Sequence, residues 1–164
     1  VLPHSAGFSL TTAAVPAGSS PITNGGFETG TLSGWTASGA SESAVSSAHT
    51  GTWADRGGNT TPTIGDSSIS QTFTAPNGTT TLSFWYSMTC PDTVRYDWAT
   101  ATMKNVTTGT TTTILGKTCT NGKGWVQVRT SVVAGNQYRL TLTSHDDNNK
   151  ADPSYTLFDD ISLY

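Results

Sequence analysis

The chain has 164 residues, with 8 Lys and Arg against 11 Asp and Glu and a net charge of −3 at pH 7. That length suits one domain with a real core, and no Lys or Arg run is long enough to follow a phosphate backbone, which argues against nucleic acid. No apolar stretch approaches the length of a membrane span, so no membrane partner is expected. Ser, Thr, Gly and Asn take the place of charge, and β-branched runs such as Thr110–Thr113 favour pleated strands over helices.

Residues 1–20 are rich in Pro, Gly and small side chains without sustained periodicity. They read as a linker with a short strand at Gly7–Thr12, and the domain proper is expected to span 21–164. No secretory leader is visible at Val1, so the chain reads as a mature piece of a longer secreted protein. Strands are expected at Ile22–Phe27, Trp35–Ser38, Ser41–Val45, Thr52–Arg56, Ser67–Thr74, Thr80–Thr89, Asp97–Asn105, Thr111–Thr118, Trp125–Val132, Gln137–His145 and Tyr155–Leu163. The turn formers Gly57-Gly58-Asn59, Pro76-Asn77-Gly78, Thr108-Gly109, Asn121-Gly122 and Ala134-Gly135-Asn136 separate them. Short strands at this spacing indicate a sandwich or a barrel.

Alternation sorts the faces. Leu82, Phe84, Tyr86 and Met88 share one side of their strand, Tyr138, Leu140 and Leu142 one side of theirs, and Ala99, Ala101 and Met103 one side of a third. These sets should pack between sheets. The opposite set is polar yet carries Trp85 and Trp98, with Arg139 and His145 on the same side of another strand. If those strands share a sheet, the four residues line one surface, with Tyr96 beside it, where rings stack on apolar sugar faces and polar neighbours bind hydroxyls. Trp35 and Trp125 read as core residues at strand starts, and Trp53 fits either place.

Cys90 and Cys119 each fall at a strand end. In a chain of this composition they read as one disulfide in an oxidising, extracellular compartment, the alternative being two free thiols. His145-Asp146-Asp147, with Asp152 downstream and Asp92 and Asp97 near a neighbouring strand end, is the densest acidic cluster. It reads as a second calcium or polar-ligand site, as an acid–base pair for glycoside hydrolysis, or as a solvated loop. Nothing else supports catalysis. There is no Gly-x-Ser-x-Gly elbow, no His/Cys zinc spacing, and His4, His49 and His145 are the only histidines.

Two segments at opposite ends of the domain are distinctive together. One is Asn24-Gly25-Gly26-Phe27-Glu28-Thr29-Gly30 followed by Leu32-Ser33-Gly34-Trp35, and the other is Leu157-Phe158-Asp159-Asp160-Ile161-Ser162-Leu163. With Ala48-His49-Thr50-Gly51-Thr52-Trp53 and Ile69-Ser70-Gln71-Thr72-Phe73 between them, the succession resembles the galactose-binding-like jelly-roll superfamily, nearest to carbohydrate-binding modules grouped around families 4, 9 and 22. The resemblance implies an all-β jelly-roll β-sandwich of two antiparallel sheets. It also implies a structural calcium held by Glu28 and Asp159, with Asp160 as the alternative and backbone carbonyls from the His49–Gly51 turn. Its sugar sites follow no fixed motif, so no sugar-binding residue carries over. The function it implies is a monomeric, non-catalytic module that binds a polysaccharide or oligosaccharide and targets an attached secreted catalytic domain. Cys90-Pro91-Asp92-Thr93 and His145-Asp146-Asp147 depart from the general pattern. They keep open a second reading, a protein-binding or stabilising accessory domain of a secreted bacterial peptidase.

Overall fold

The computed structural model describes residues 21–164, and the linker expected at 1–20, with its strand at Gly7–Thr12, lies outside the described residues. Ten strands follow in order: β1 (Thr36–Gly39), β2 (Glu42–Val45), β3 (Ala54–Gly58), β4 (Ile64–Thr74), β5 (Thr81–Thr89), β6 (Trp98–Asn105), β7 (Thr111–Thr118), β8 (Val126–Ser131), β9 (Gln137–Asp147) and β10 (Tyr155–Leu163). They form two five-stranded sheets, ordered β1-β4-β9-β6-β7 and β2-β3-β10-β5-β8. Every pairing in them is antiparallel. The architecture is the expected jelly-roll sandwich, with β9 central in one sheet and β10 central in the other.

Period-two alternation builds the core. Leu82, Phe84, Tyr86 and Met88 of β5 all point inward and are buried, as are Tyr138, Leu140 and Leu142 of β9 and Ala99, Ala101 and Met103 of β6. Phe84 meets Phe158 edge-on within this layer, their ring centroids 6.3 Å apart. Each fully buried Leu or Phe contributes about 1.5–3 kcal/mol by leaving water. The edge strands β1 and β2 are four residues long, which limits the open backbone they present.

The strand expected at Ile22–Phe27 is a run of turns instead. Asn24 and Phe27 have φ of 51° and 56°, a left-handed conformation that interrupts extended pairing. Ile22 and Phe27 still reach the core, but from a loop plugging one end of the sandwich. Gln71 on β4 holds that loop: its Oε1 accepts from Thr23 N at 2.8 Å, and its Nε2 donates to Thr23 O and Gly34 O. Trp35 joins the core and donates from Nε1 to Asn24 O. Trp125 does not join it. Val126 and Val128 take the inward positions of β8, so Trp125 stands on the outer side, half-buried. Trp53 is half-buried and packs against the core beside Gly30.

Cys90 and Cys119 are bonded, tying the end of β5 to the segment after β7. The closed loop contains the whole β6–β7 hairpin and the segment 91–97 that leads into it.

Candidate functional site

One locus forms where β10 meets the turn at 49–53. Asp159 is the cross-strand partner of Trp85, and the register shifts immediately after it. Adjacent residues of a regular strand point to opposite faces, but Asp160 has φ of 51°. The bulge turns both carboxylates to the same turn. Asp159 Oδ2 accepts from His49 N at 2.8 Å and Thr50 N at 3.3 Å, and Asp159 Oδ1 accepts from Asp160 N at 2.7 Å. The Asp160 carboxylate meets His49 Nδ1 at 2.7 Å and accepts from Thr50 Oγ1 at 2.7 Å. Glu28 takes the far side of the turn, accepting from Thr52 N and Trp53 N, each at 2.9 Å. Both Asp159 and Asp160 thus face the turn at 49–50. Burial pushes the Asp159 carboxyl up to about 6, with the Asp160 charge adding to it and the backbone donors of Asp160, His49 and Thr50 opposing it.

Three carboxylates on one turn form a hard-oxygen set of the chemistry calcium takes, and His49 is the one basic side chain paired with them among the described residues. The donor chemistry fits the ion. The turn, however, faces these carboxylates with amide hydrogens at His49 and Thr50 rather than with the expected carbonyls. An N–H cannot ligate a cation, so an ion there uses the remaining lone pairs of the carboxylates.

A second acidic locus lies at the far end of β9. The carboxylate oxygens of Asp92, Asp97 and Asp147 come within 4.8 Å of one another, and this group could hold a metal ion. Asp97 is fully buried, accepting from Asp147 N at 2.8 Å and Ser154 Oγ at 2.5 Å. Burial pushes its carboxyl up to about 6. Asp146 lies outside the group, because it points inward and accepts from Thr63 N and Ser154 N. The sequence pattern named Asp97 only as a neighbour of this cluster; it sits immediately before β6, held inward by Asp147 N and Ser154 Oγ.

The aromatic candidates part company. Trp85 belongs to β5 and stands on the outer face of the β10 sheet, whereas Trp98 on β6 and His145 on β9 stand on the outer face of the other sheet. The strands do not share a sheet, so the single surface expected from alternation does not form. Trp85 stacks on His49, centroids 4.1 Å apart at 18°, and Trp125 tilts against the same imidazole at 5.4 Å. Trp98 stacks on its cross-strand partner His145, centroids 3.8 Å apart at 3°. The Lys117 ammonium lies 3.8 Å from the Trp98 centroid, and His145 Nδ1 lies 2.6 Å from Asp66 Oδ1. The imidazole and the ammonium cannot occupy one ring face, so they cover opposite faces of the indole. Around this cluster the outer face is hydroxylic, as in the Ser68–Thr143 hydrogen bond of 2.8 Å. Tyr96 is 46% exposed, two residues before Trp98. Arg139 is on the same outer face but six positions along β9 from His145, roughly 20 Å away. Lys117 and Asp66 escaped sequence reading because strand neighbours cannot be read from a period of two.

No family model matches the chain, and no curated protein matches it. Solved structures do. The module CBM61, described in complex with β-1,4-galactotriose, is 19% identical, with a TM-score of 0.64 over 89% of this chain and 98% of that one. The chain shares the fold of that module. The CBM22-1 xylan-binding domain of Xyn10C from Paenibacillus barcinonensis is 21% identical, with a TM-score of 0.53 over 84% of this chain and 89% of its own. The K1 cleaved adhesin domain of Lys-gingipain from Porphyromonas gingivalis W83 is 15% identical, with a TM-score of 0.57 over 85% of this chain and 95% of that domain.

Proposed function

We propose that this domain is a non-catalytic carbohydrate-binding module that keeps an attached secreted hydrolase on a polysaccharide. The observation that carries the reading is the half-buried Trp98 set in a hydroxylic sheet face and flanked by His145, Lys117 and Asp66. An indole stacks on the apolar face of a sugar, and the flanking groups are hydrogen-bond partners for its hydroxyls. In this reading the exposed Lys117 side chain is the cover that a sugar ring displaces, while His145, held by Asp66, stays on the other face of the indole. Each stacking contact is worth about 1 kcal/mol beyond buried area, so an extended polymer engaging several contacts suits the face better than a single sugar. The likeness to modules named for galactotriose and xylan supports β-linked polysaccharides as the first ligands to try. The disulfide supports an extracellular setting. In this reading calcium at Glu28, Asp159 and Asp160 is structural, binding the entry loop to the last strand.

The test is affinity electrophoresis and pull-down on galactan, xylan and other insoluble polysaccharides, with Trp98→Ala and His145→Ala compared against the parent after thermal melting shows them folded. Binding by the parent, weakened about tenfold by Trp98→Ala, is expected. Equal binding by parent and variants would remove the face from the site. The second reading, an accessory domain of a secreted peptidase, is favoured by the likeness to the Lys-gingipain adhesin domain. Capture of a protein substrate with no polysaccharide bound would select it.

A further inference from the structure

The space between the sheets changes character at the end built by β2 and β3. Glu42 pairs with Gly57 and Ala44 with Asp55 in the strand register, and β10 sets Thr156 opposite Gly57 and Phe158 opposite Asp55. Thr156 and Phe158 are fully buried, so this row faces the interior. Glu42 and Asp55 are diagonal neighbours on it, a separation that long side chains bridge. Gly57 makes the room. A Cβ there would stand 3.0 Å from Glu42 Oε1 and 3.1 Å from Ser144 Cβ, so the Glu42 carboxylate occupies the space that a side chain would need.

Asp55 is 0% exposed, and none of the four carboxylate oxygens of this pair accepts a hydrogen bond from an N–H or hydroxyl of a described residue; the only hydrogen-bond contact open to them is with each other, through a shared proton. Neither residue is in an ion pair; those among the described residues are His49–Asp160 and His145–Asp66. The nearby hydroxyls bond to other groups, Ser144 and Thr156 to each other at 3.0 Å and Ser67 Oγ as acceptor from Ser41 N at 3.0 Å, and none of them bonds to either carboxylate. Asp146, the other acidic group on the inner side of β9, is held by Thr63 and Ser154. Arg56, between Asp55 and Gly57, points to the opposite face, where it donates to Asn59.

A buried ionised carboxylate without a partner is costly, and two side by side are costlier. Burial, then the charge of Asp55, drives the Glu42 carboxyl far up, and burial raises Asp55 as well. One shared proton still leaves one negative charge in the interior. A divalent cation neutralises both. A groove of about 460 Å³, lined by Ala37, Ser38, Gly39, Ala40, Ser41 and Glu42, runs beside the pair, while the Glu42 carboxylate oxygens themselves are closed off from solvent.

We propose that Glu42 and Asp55 form an internal site for a divalent cation of the calcium class, entered through the groove at Ala37–Glu42 and separate from the Glu28–Asp159–Asp160 turn. Two carboxylates supply up to four hard oxygens, the Ser67 carbonyl lies 3.5 Å from the Cβ position at Gly57, and water from the groove completes the shell. With neither imidazole nor thiolate in the set, zinc is disfavoured.

Calcium chloride, titrated by calorimetry near neutral pH into chelator-stripped protein in buffers of different ionisation enthalpy, tests the site. The parent, Glu28→Gln and Glu42→Gln are compared, and the carboxyl-carbon resonances of Glu42 and Asp55 are followed in the parent. Glu28→Gln is expected to keep a binding event that expels close to one proton, and Glu42→Gln to lose it. In the parent, both carboxyl carbons are expected to move to their ionised positions on calcium addition. A Glu42 carboxyl that stays protonated in saturating calcium overturns the proposal and leaves a pair sharing a proton. So does a Glu42→Gln titration identical to that of the parent. The resonance measurement uses the parent protein, so it decides the matter even where Glu42→Gln does not fold.

Discussion

Replacing both Cys90 and Cys119 by Ala opens the loop that the disulfide closes. The sequence separation is 29 residues. Closing a loop of that length removes about 12 cal/mol/K of chain entropy from the unfolded state, or about 3.6 kcal/mol at 25 °C. A domain of this size unfolds with an entropy of about 0.3 kcal/mol/K, so the melting temperature should fall by about 12 °C. Cys90 is buried in the core, so truncating it adds a packing loss and makes the entropic figure a lower estimate. Scanning calorimetry gives the temperature shift, and urea unfolding gives the free energy and the slope. The slope should rise, because the untied chain exposes more surface when unfolded. The same loop carries Asp92 and Tyr96 and leads into Trp98. Polysaccharide binding should therefore fall more than in a core variant of matched stability. A loss below about 1 kcal/mol with an unchanged slope would refute the loop-closure reasoning.

Chelator should lower the melting temperature of the parent by mass action, and Glu28→Gln should remove most of that difference; equal melting with and without chelator would remove structural calcium from the account. Burial raises Asp97 and Asp159 from the ordinary value of 3.8 to about 6, so the folded state holds these protons more tightly than the unfolded chain does. Their contribution to stability is fully present below the unfolded value and is lost as pH rises through about 6. In chelator, thermal melting should accordingly decline between about pH 4 and pH 7, and a profile that rises across that window contradicts the assignment. Gly51 has φ of 69°, and a Cβ there would stand 2.5 Å from Glu28 Oε1, whereas Gly122 has φ of 71° with nothing within 4 Å. Gly122→Ala should cost about 1 kcal/mol from the backbone alone and Gly51→Ala clearly more, as measured by urea unfolding.

What could be read before the structure, and what could not, follows from the physics of strands. A period of two reports inside against outside, and it assigned Leu82, Phe84, Tyr86 and Met88 correctly to the core. It does not say which sheet a strand joins. Trp85 and Trp98 are thus both outward residues, as alternation required, yet they face away from each other on different sheets. Alternation also breaks wherever the backbone leaves the β region. Phe27 and Asp160 both sit at positive φ, and there the expected first strand became a loop while two adjacent carboxylates came to one turn. Glu42 and Asp55 look in sequence like ordinary polar residues of short strands. Their burial depends on Gly57 and Ser144, whose approach is set by contacts across the sandwich.

The order of strands has a consequence for how the chain becomes a domain. Without β9 and β10, the pairings that survive are β1 with β4, β6 with β7, β2 with β3 and β5 with β8. Each is a two-stranded ribbon, and such ribbons are marginal in water. No strand pairing joins them until residues 137–163 are synthesised, when each central strand clasps two ribbons at once; before that the Cys90–Cys119 disulfide is the covalent tie between the β5 and β7 ribbons. The two sheets therefore complete together and late in the chain, not one after the other. Cutting the chain after β8 does not trim a rim; it removes the spine of both layers together.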